Sequence, residues 1–236
     1  MSDGSRSGEV AVVIPARNEF DRIQDTVTAA AGLADVALVV VVDDGSQDGT
    51  EAAAQRAGAI VMRHARNRGK GAAMETGAEA VRLLDQREGR DQPRHLLFLD
   101  ADLAGTAAKA GPLIDPVLSG AADMTIAVFA ATVKLGGHGL VTGLAGAGIQ
   151  RATGWRPAQP LNGQRCLTRM AFEMARPLAP GWGVETALTI DLLRKGLRVT
   201  EVEVQLAHRA TGTGLGAQLH RAHQLTGVAR ALARRP

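Results

Sequence analysis

The 236-residue chain is 45% hydrophobic and 22% charged, a composition that excludes wholesale disorder and fits one large domain or two small ones. A single cysteine, Cys166, excludes an internal disulfide framework and an all-cysteine metal cage, and suits a reducing cytoplasm. The net charge of +3 divides unevenly: residues 151–236 carry 13 Lys and Arg against 5 Asp and Glu, a net of +8, which leaves −5 for residues 1–150.

Apolar β-rich runs alternate with Ala-rich helical segments through the first 128 residues. Val10 to Ile14 predicts a buried strand, and a polar turn then leads into a helix over Ile23 to Ala31. Leu38 to Val42 predicts a second strand, followed by a helix from Thr50 to Ala57 with Asp48 as its cap and Gly58 as its stop. Ile60 to Met62, a helix over Gly71 to Leu84, and a fourth strand at Leu96 to Leu99 complete this rhythm. Beyond residue 130 the pattern breaks. Lys134 to Gly148 is glycine-rich and predicts a mobile stretch, or else a loop followed by a helix, and Trp155 to Gly163 predicts a connection. Val184 to Leu193 predicts a helix, Arg198 to Leu206 a strand, and Leu215 to Leu232 a terminal helix.

Continuous apolar strands interleaved with helices imply an α/β fold, a mostly parallel sheet with helices on both faces. Ligands of such sheets bind beyond the carboxyl ends of the strands. Three polar clusters end strands on that one rim: Pro15 to Glu19, Asp43 to Ser46, and Asp100 to Asp102.

Asp100-Ala101-Asp102 offers two carboxylates suited to a hard divalent cation that in turn holds a diphosphate; a strand end with a helix cap is the plain alternative. Asp43-Asp44-Gly45-Ser46 offers acceptors for a base imide or ribose hydroxyl, or simply a turn. Pro15 to Glu19 opens a helix whose exposed N–H groups and polar side chains suit a nucleotide, although an Asn there is also a plain helix cap. Arg66-Asn67-Arg68-Gly69-Lys70-Gly71 allows close backbone approach to an anion at a helix start, although its spacing is not that of a Walker loop.

The ordered series VIPARNE, VVDDGSQDGT, RNRGKGAA and LDADL resembles the amino-terminal half of a family 2-type glycosyltransferase with the GT-A fold. QPLNGQR (159–165), APGWGVE (179–185) and LAHRATG (206–212) resemble later motifs of its glucosyl-3-phosphoglycerate synthase branch. The resemblance implies one GT-A domain over residues 1–236, with a nucleotide-sugar half over 1–128 and an acceptor half over 129–236. It implies that Pro15, Ala16, Asn18, Glu19 and Asp44 hold the nucleoside, with Lys70 near base or phosphates and Asp100 facing ribose or sugar. Asp102 and His208 would ligate Mg²⁺ or Mn²⁺. Trp182 and Gly183 would line the sugar and acceptor pocket, and Glu185 would serve as general base.

Two positions depart from the branch: Gly139 to Thr142 lacks its arginine, and Ala210 stands where it has asparagine. Both are acceptor-side, so the acceptor stays unidentified, with an anionic one suggested by the basic second part. A UDP-hexose donor is favoured and a GDP-hexose remains open. With aromatics at 3% and no tyrosine, base-stacking platforms are poorly supported, and no nucleic-acid partner is expected. No apolar run reaches the ~20 residues that cross a bilayer. The polar start MSDGSRSGE lacks a signal-peptide core, so membrane contact is expected to be peripheral at most. A polyprenyl-phosphate sugar synthase and a non-catalytic nucleotide-binding GT-A protein are the alternatives.

Overall fold

The structure is a computed structural model, and it describes residues 9–129, 139–207 and 215–235. The elements run β1 (Val10–Ala16), α1 (Phe20–Ala31), β2 (Val36–Asp43), α2 (Thr50–Arg56), β3 (Ile60–Arg63), α3 (Lys70–Arg87) and β4 (His95–Phe98). Two 3-10 turns and the short α4 (Asp115–Leu118) lead into β5 (Met124–Phe129). The remainder is α5 (Gly139–Thr153), β6 (Arg165–Leu167), α6 (Arg169–Ala175), α7 (Val184–Arg194), β7 (Val199–Val204) and α8 (Leu215–Ala233).

One seven-stranded sheet, in the order β3-β2-β1-β4-β6-β5-β7, carries both parts of the chain. All neighbours pair in parallel except β6, which runs antiparallel to β4 and to β5. The β1 run VAVVI is apolar throughout because both its faces are covered. Val10, Val12 and Ile14 face a core with α1, α2 and the 3-10 turns, while Ala11 and Val13 face one with α3, α6 and α7. This second core mixes the two parts of the chain, and the Phe98 and Phe172 rings meet in it at 5.6 Å.

The expected strands and helices of the first 128 residues are present, each a residue or more longer at one end or both, except that α2 stops a residue short at Arg56 and β4 is shifted one residue back to His95–Phe98. The cap of α2 differs. Gly49 is the capping residue, while Asp48 sits one place earlier and still accepts the Thr50 N–H at 2.9 Å. Burial pushes the Asp48 carboxyl up, but its hydrogen bonds from Thr50 and Phe20 outweigh this and hold it below the usual value. Two strands were not legible in the sequence. β5 lies outside the helix–strand rhythm, and β6 is three residues long, too short to show any alternation.

Candidate active site

The order β2-β1-β4 sets the three polar strand ends side by side. The Asp44 N–H donates to Ala16 O at 2.8 Å, and the Asn18 N–H donates to Ser46 Oγ at 3.0 Å. Asn18 Oδ1 returns a bond by accepting the Gln47 N–H at 2.9 Å. Asn18 sits at φ +56°, a left-handed conformation that asparagine tolerates better than most side chains. Pro15 is half-buried and Ala16 buried at the end of β1, while Glu19 receives α1 by accepting the Arg22 and Ile23 N–H groups. The predicted convergence of these clusters on one rim is what the structure shows.

Asp44 is buried and already engaged. Its Oδ1 accepts the Arg68 N–H at 2.7 Å and lies 2.7 Å from His64 Nδ1; its Oδ2 accepts the Gly69 N–H at 2.8 Å. His64 is held on its other side by Thr76 Oγ1 at 2.9 Å. A carboxylate has roughly four lone-pair directions, so a nucleoside contact at Asp44 would share the group with the Arg66–Gly69 turn. That turn delivers Lys70 as the first residue of α3.

The Lys70 ammonium is the centre of the site. Nζ lies 2.6 Å from Asp100 Oδ1 and 2.9 Å from Glu185 Oε1. Burial pulls its pKa down, but the charges of Asp100 and Glu185 and their hydrogen bonds outweigh that and raise it. Lys70 is therefore a fixed cation joining the end of β4 to the first turn of α7. Asp100 is clamped from the opposite side: Gln164 Oε1 accepts the Asp100 N–H at 2.8 Å, and Gln164 Nε2 donates to Asp100 Oδ2 at 2.9 Å. A β-carbon on the adjacent Gly163 would lie 2.2 Å from Lys70 Nζ and 2.9 Å from Asp100 Oδ1, so any larger residue there would displace the cluster's side-chain ends.

Behind the cluster, Arg165 is 1% exposed and holds α7 in place. It donates to Glu185 O at 3.0 Å, Thr189 Oγ1 at 2.8 Å, Asn162 O at 2.8 Å and Pro160 O at 3.1 Å. Burial lowers its pKa to about 10, against the opposing pull of Glu185, Glu201 and Asp100, so it stays charged at neutral pH. In the sequence, Gly163, Gln164 and Arg165 stand out only as part of the QPLNGQR motif. Their roles are not legible there because Lys70, Asp100, Glu185 and Thr189, which they meet, lie far away along the chain.

Trp182 is 40% exposed, and the buried Gly183 lies against Gly227 of α8. Asp102 follows Asp100 on the rim, half-buried, and its backbone carbonyl accepts from Arg22 at 3.2 Å. His208 and Ala210 lie outside the described residues, as does part of the Lys134 to Gly148 stretch. Among the described residues no group of three His, Cys, Asp or Glu side chains is gathered for a metal. The oxygen donors at the rim, Asp100 and Asp102, are of the type that suits a hard divalent cation.

Residues 11–142 match the family model "Glycosyl transferase family 2". The chain belongs to this family. Glycosyltransferase AglJ of Haloferax volcanii is 30% identical over 210 residues, covering 86% of this chain and 65% of AglJ. Glucosyl-3-phosphoglycerate synthase of Mycolicibacterium paratuberculosis is 29% identical over 205 residues, covering 77% of this chain and 59% of the synthase. The chain thus spans less than two thirds of the length of these curated relatives. Among solved structures, the Mycobacterium tuberculosis glucosyl-3-phosphoglycerate synthase with Mn²⁺, UDP-glucose and phosphoglyceric acid matches with a TM-score of 0.72 and 27% identity. That match covers 97% of this chain and 81% of the synthase. The fold is the GT-A fold near this branch of family 2, as the motifs implied.

Proposed function

We propose that this family 2 chain is a metal-dependent glycosyltransferase that moves a hexose from a nucleotide sugar, UDP-hexose in preference to GDP-hexose, to an anionic acceptor. The observation that carries the reading is the Lys70 ammonium held between Asp100 and Glu185 at the carboxyl-end rim of the sheet, with Gln164 locking Asp100. Structural relatives with Mn²⁺ and UDP-glucose bound support the choice of donor and ion.

In this reading Pro15, Ala16, Asn18, Glu19 and Asp44 take the nucleoside, and Trp182 and Gly183 border the sugar. Asp102, with Asp100 beside it and His208, would hold Mg²⁺ or Mn²⁺. Such an ion would neutralise charge on the departing diphosphate. The chain's own contribution is positional: the clamp on Asp100 and the Arg165 anchor under α7 hold two carboxylates and one ammonium ready for the substrate. Glu185 is the proposed acceptor of the proton from the attacking hydroxyl. The single buried cysteine supports a cytoplasmic setting, and no helix among the described residues is long and apolar enough to cross a membrane.

Titration with UDP-glucose in the presence and absence of Mn²⁺, followed by a hydrolysis and transfer assay over phosphorylated acceptors, tests the proposal. Mn²⁺-dependent binding with turnover is expected, and absence of any nucleotide-sugar binding would end it. E185Q separates two roles for that carboxylate. Glutamine still accepts a hydrogen bond but cannot take a proton, so retained donor affinity with turnover down by roughly 10²-fold or more is expected.

A further inference from the structure

A second concavity lies outside the Lys70 cluster. Its volume is about 880 Å³, and its lining includes the 177–182 segment, the end of α7 and the last turns of α8, but none of Lys70, Asp100, Gln164 or Glu185. Thr226 and Arg230 on α8, and Arg234 one residue past its end, recur every four residues and line the cleft. Arg194, in the last turn of α7, completes the basic end.

Asp191 is the one acid among the lining residues. Arg235 neutralises it, with Nε and Nη2 each 2.6 Å from a carboxylate oxygen. Arg230 and Arg234 are exposed and form no ion pair among the described residues. A simpler explanation is that they complement the negative end of α8. The two helix ends here supply together only about one negative charge, less than the arginines carry. The rest of the wall is apolar and rigid: Pro177, Leu178, Pro180 and the exposed Trp182. A cleft with an aromatic and proline wall at one side and guanidinium groups at the other suits a ligand with an apolar or ring body and a phosphate.

We propose that this cleft is a binding site for a soluble phosphate monoester, its phosphate held by Arg230 and Arg234 and its body packed on Trp182. The site shares Trp182 with the sugar border proposed above, includes none of Lys70, Asp100, Gln164 or Glu185, and requires neither a nucleotide nor a metal ion.

The chain has two tryptophans, Trp155 and Trp182, so a W155F background leaves Trp182 as a fluorescent reporter inside the cleft. Phenyl phosphate is titrated at constant ionic strength without metal or nucleotide, with phenol and inorganic phosphate in parallel. A saturable change in Trp182 emission is expected with phenyl phosphate, at lower concentration than with either fragment. R230A/R234A in the same background is expected to raise the dissociation constant roughly tenfold or more, with the thermal melt unchanged. An unaltered dissociation constant in R230A/R234A overturns the proposal. So does loss of the signal in K70A alone, which would put the phosphate in the donor site. Binding to anionic phospholipid vesicles with no response to phenyl phosphate overturns it as well, since the basic end would then serve a membrane surface.

Discussion

At the scale of single residues, Gly163 sets the geometry of the Lys70 cluster. Gly163→Ala places a methyl group 2.2 Å from Lys70 Nζ, and the flexible end of that side chain is what must move. The expected outcome is a melting temperature within a few degrees of the parent, with turnover lowered by roughly tenfold or more because the ammonium no longer bridges Asp100 and Glu185. Comparing thermal melts with steady-state kinetics checks this. An equal fall in stability and turnover would show that glycine serves folding here rather than the cluster. Asp44 is a related case: its turn-forming residue type was visible in the sequence, yet its actual partners, His64 and the 68 and 69 N–H groups, come from another loop.

At the scale of elements, the Asp123–Arg198 pair fastens the starts of β5 and β7. Asp123 Oδ2 accepts the Arg198 N–H at 2.8 Å and Nε–H at 3.1 Å, and Oδ1 accepts from Nη2 at 3.2 Å. These bonds from Arg198 hold the carboxyl below its usual range, against a smaller opposing effect of burial. Because the folded group ionises below the unfolded value of about 3.9, its stabilisation is present above that pH and is lost as pH falls toward the folded pKa. D123N is therefore expected to lower stability near neutral pH, only modestly because Arg198 is largely exposed and solvent screens the pair. Urea unfolding at several pH values should show parent and variant converging below roughly pH 4. A gap that does not narrow on acidification would mean that packing, not charge, is what the substitution removes.

At the scale of the whole molecule, the two parts of the chain share one sheet and both of its main cores. β6 is inserted antiparallel between β4 and β5, and Leu167, Phe172, Val184 and Leu188 pack with Ala11, Val13, Met74 and Phe98. Residues 1–128 alone would expose the edge of β4 and the apolar residues that β6, α6 and α7 cover. The expected behaviour of this fragment is non-cooperative thermal unfolding with dye-accessible apolar surface. A sharp, two-state melt from the fragment would show that the proposed single domain is two. The same sharing builds the candidate site, since Lys70 and Asp100 come from the first part while Gln164, Arg165 and Glu185 come from the second.

The sequence by itself determined the parallel strands of the first part, the rim on which their polar ends gather, and the family. The strands and their rim follow from local periodicity, and the family from motifs whose residues lie close together along the chain. β6 and β5, the double engagement of Asp44, the Gln164 clamp on Asp100 and the Arg165 anchor were decided only by the tertiary structure. Each depends on a partner many residues away, and hydrogen bonds of that kind leave no period in a sequence. Charge shows the same division. The excess of +8 in residues 151–236 was countable at once, but its sorting into a buried Arg165 and exposed Arg230 and Arg234 needed the packing of α7 and α8.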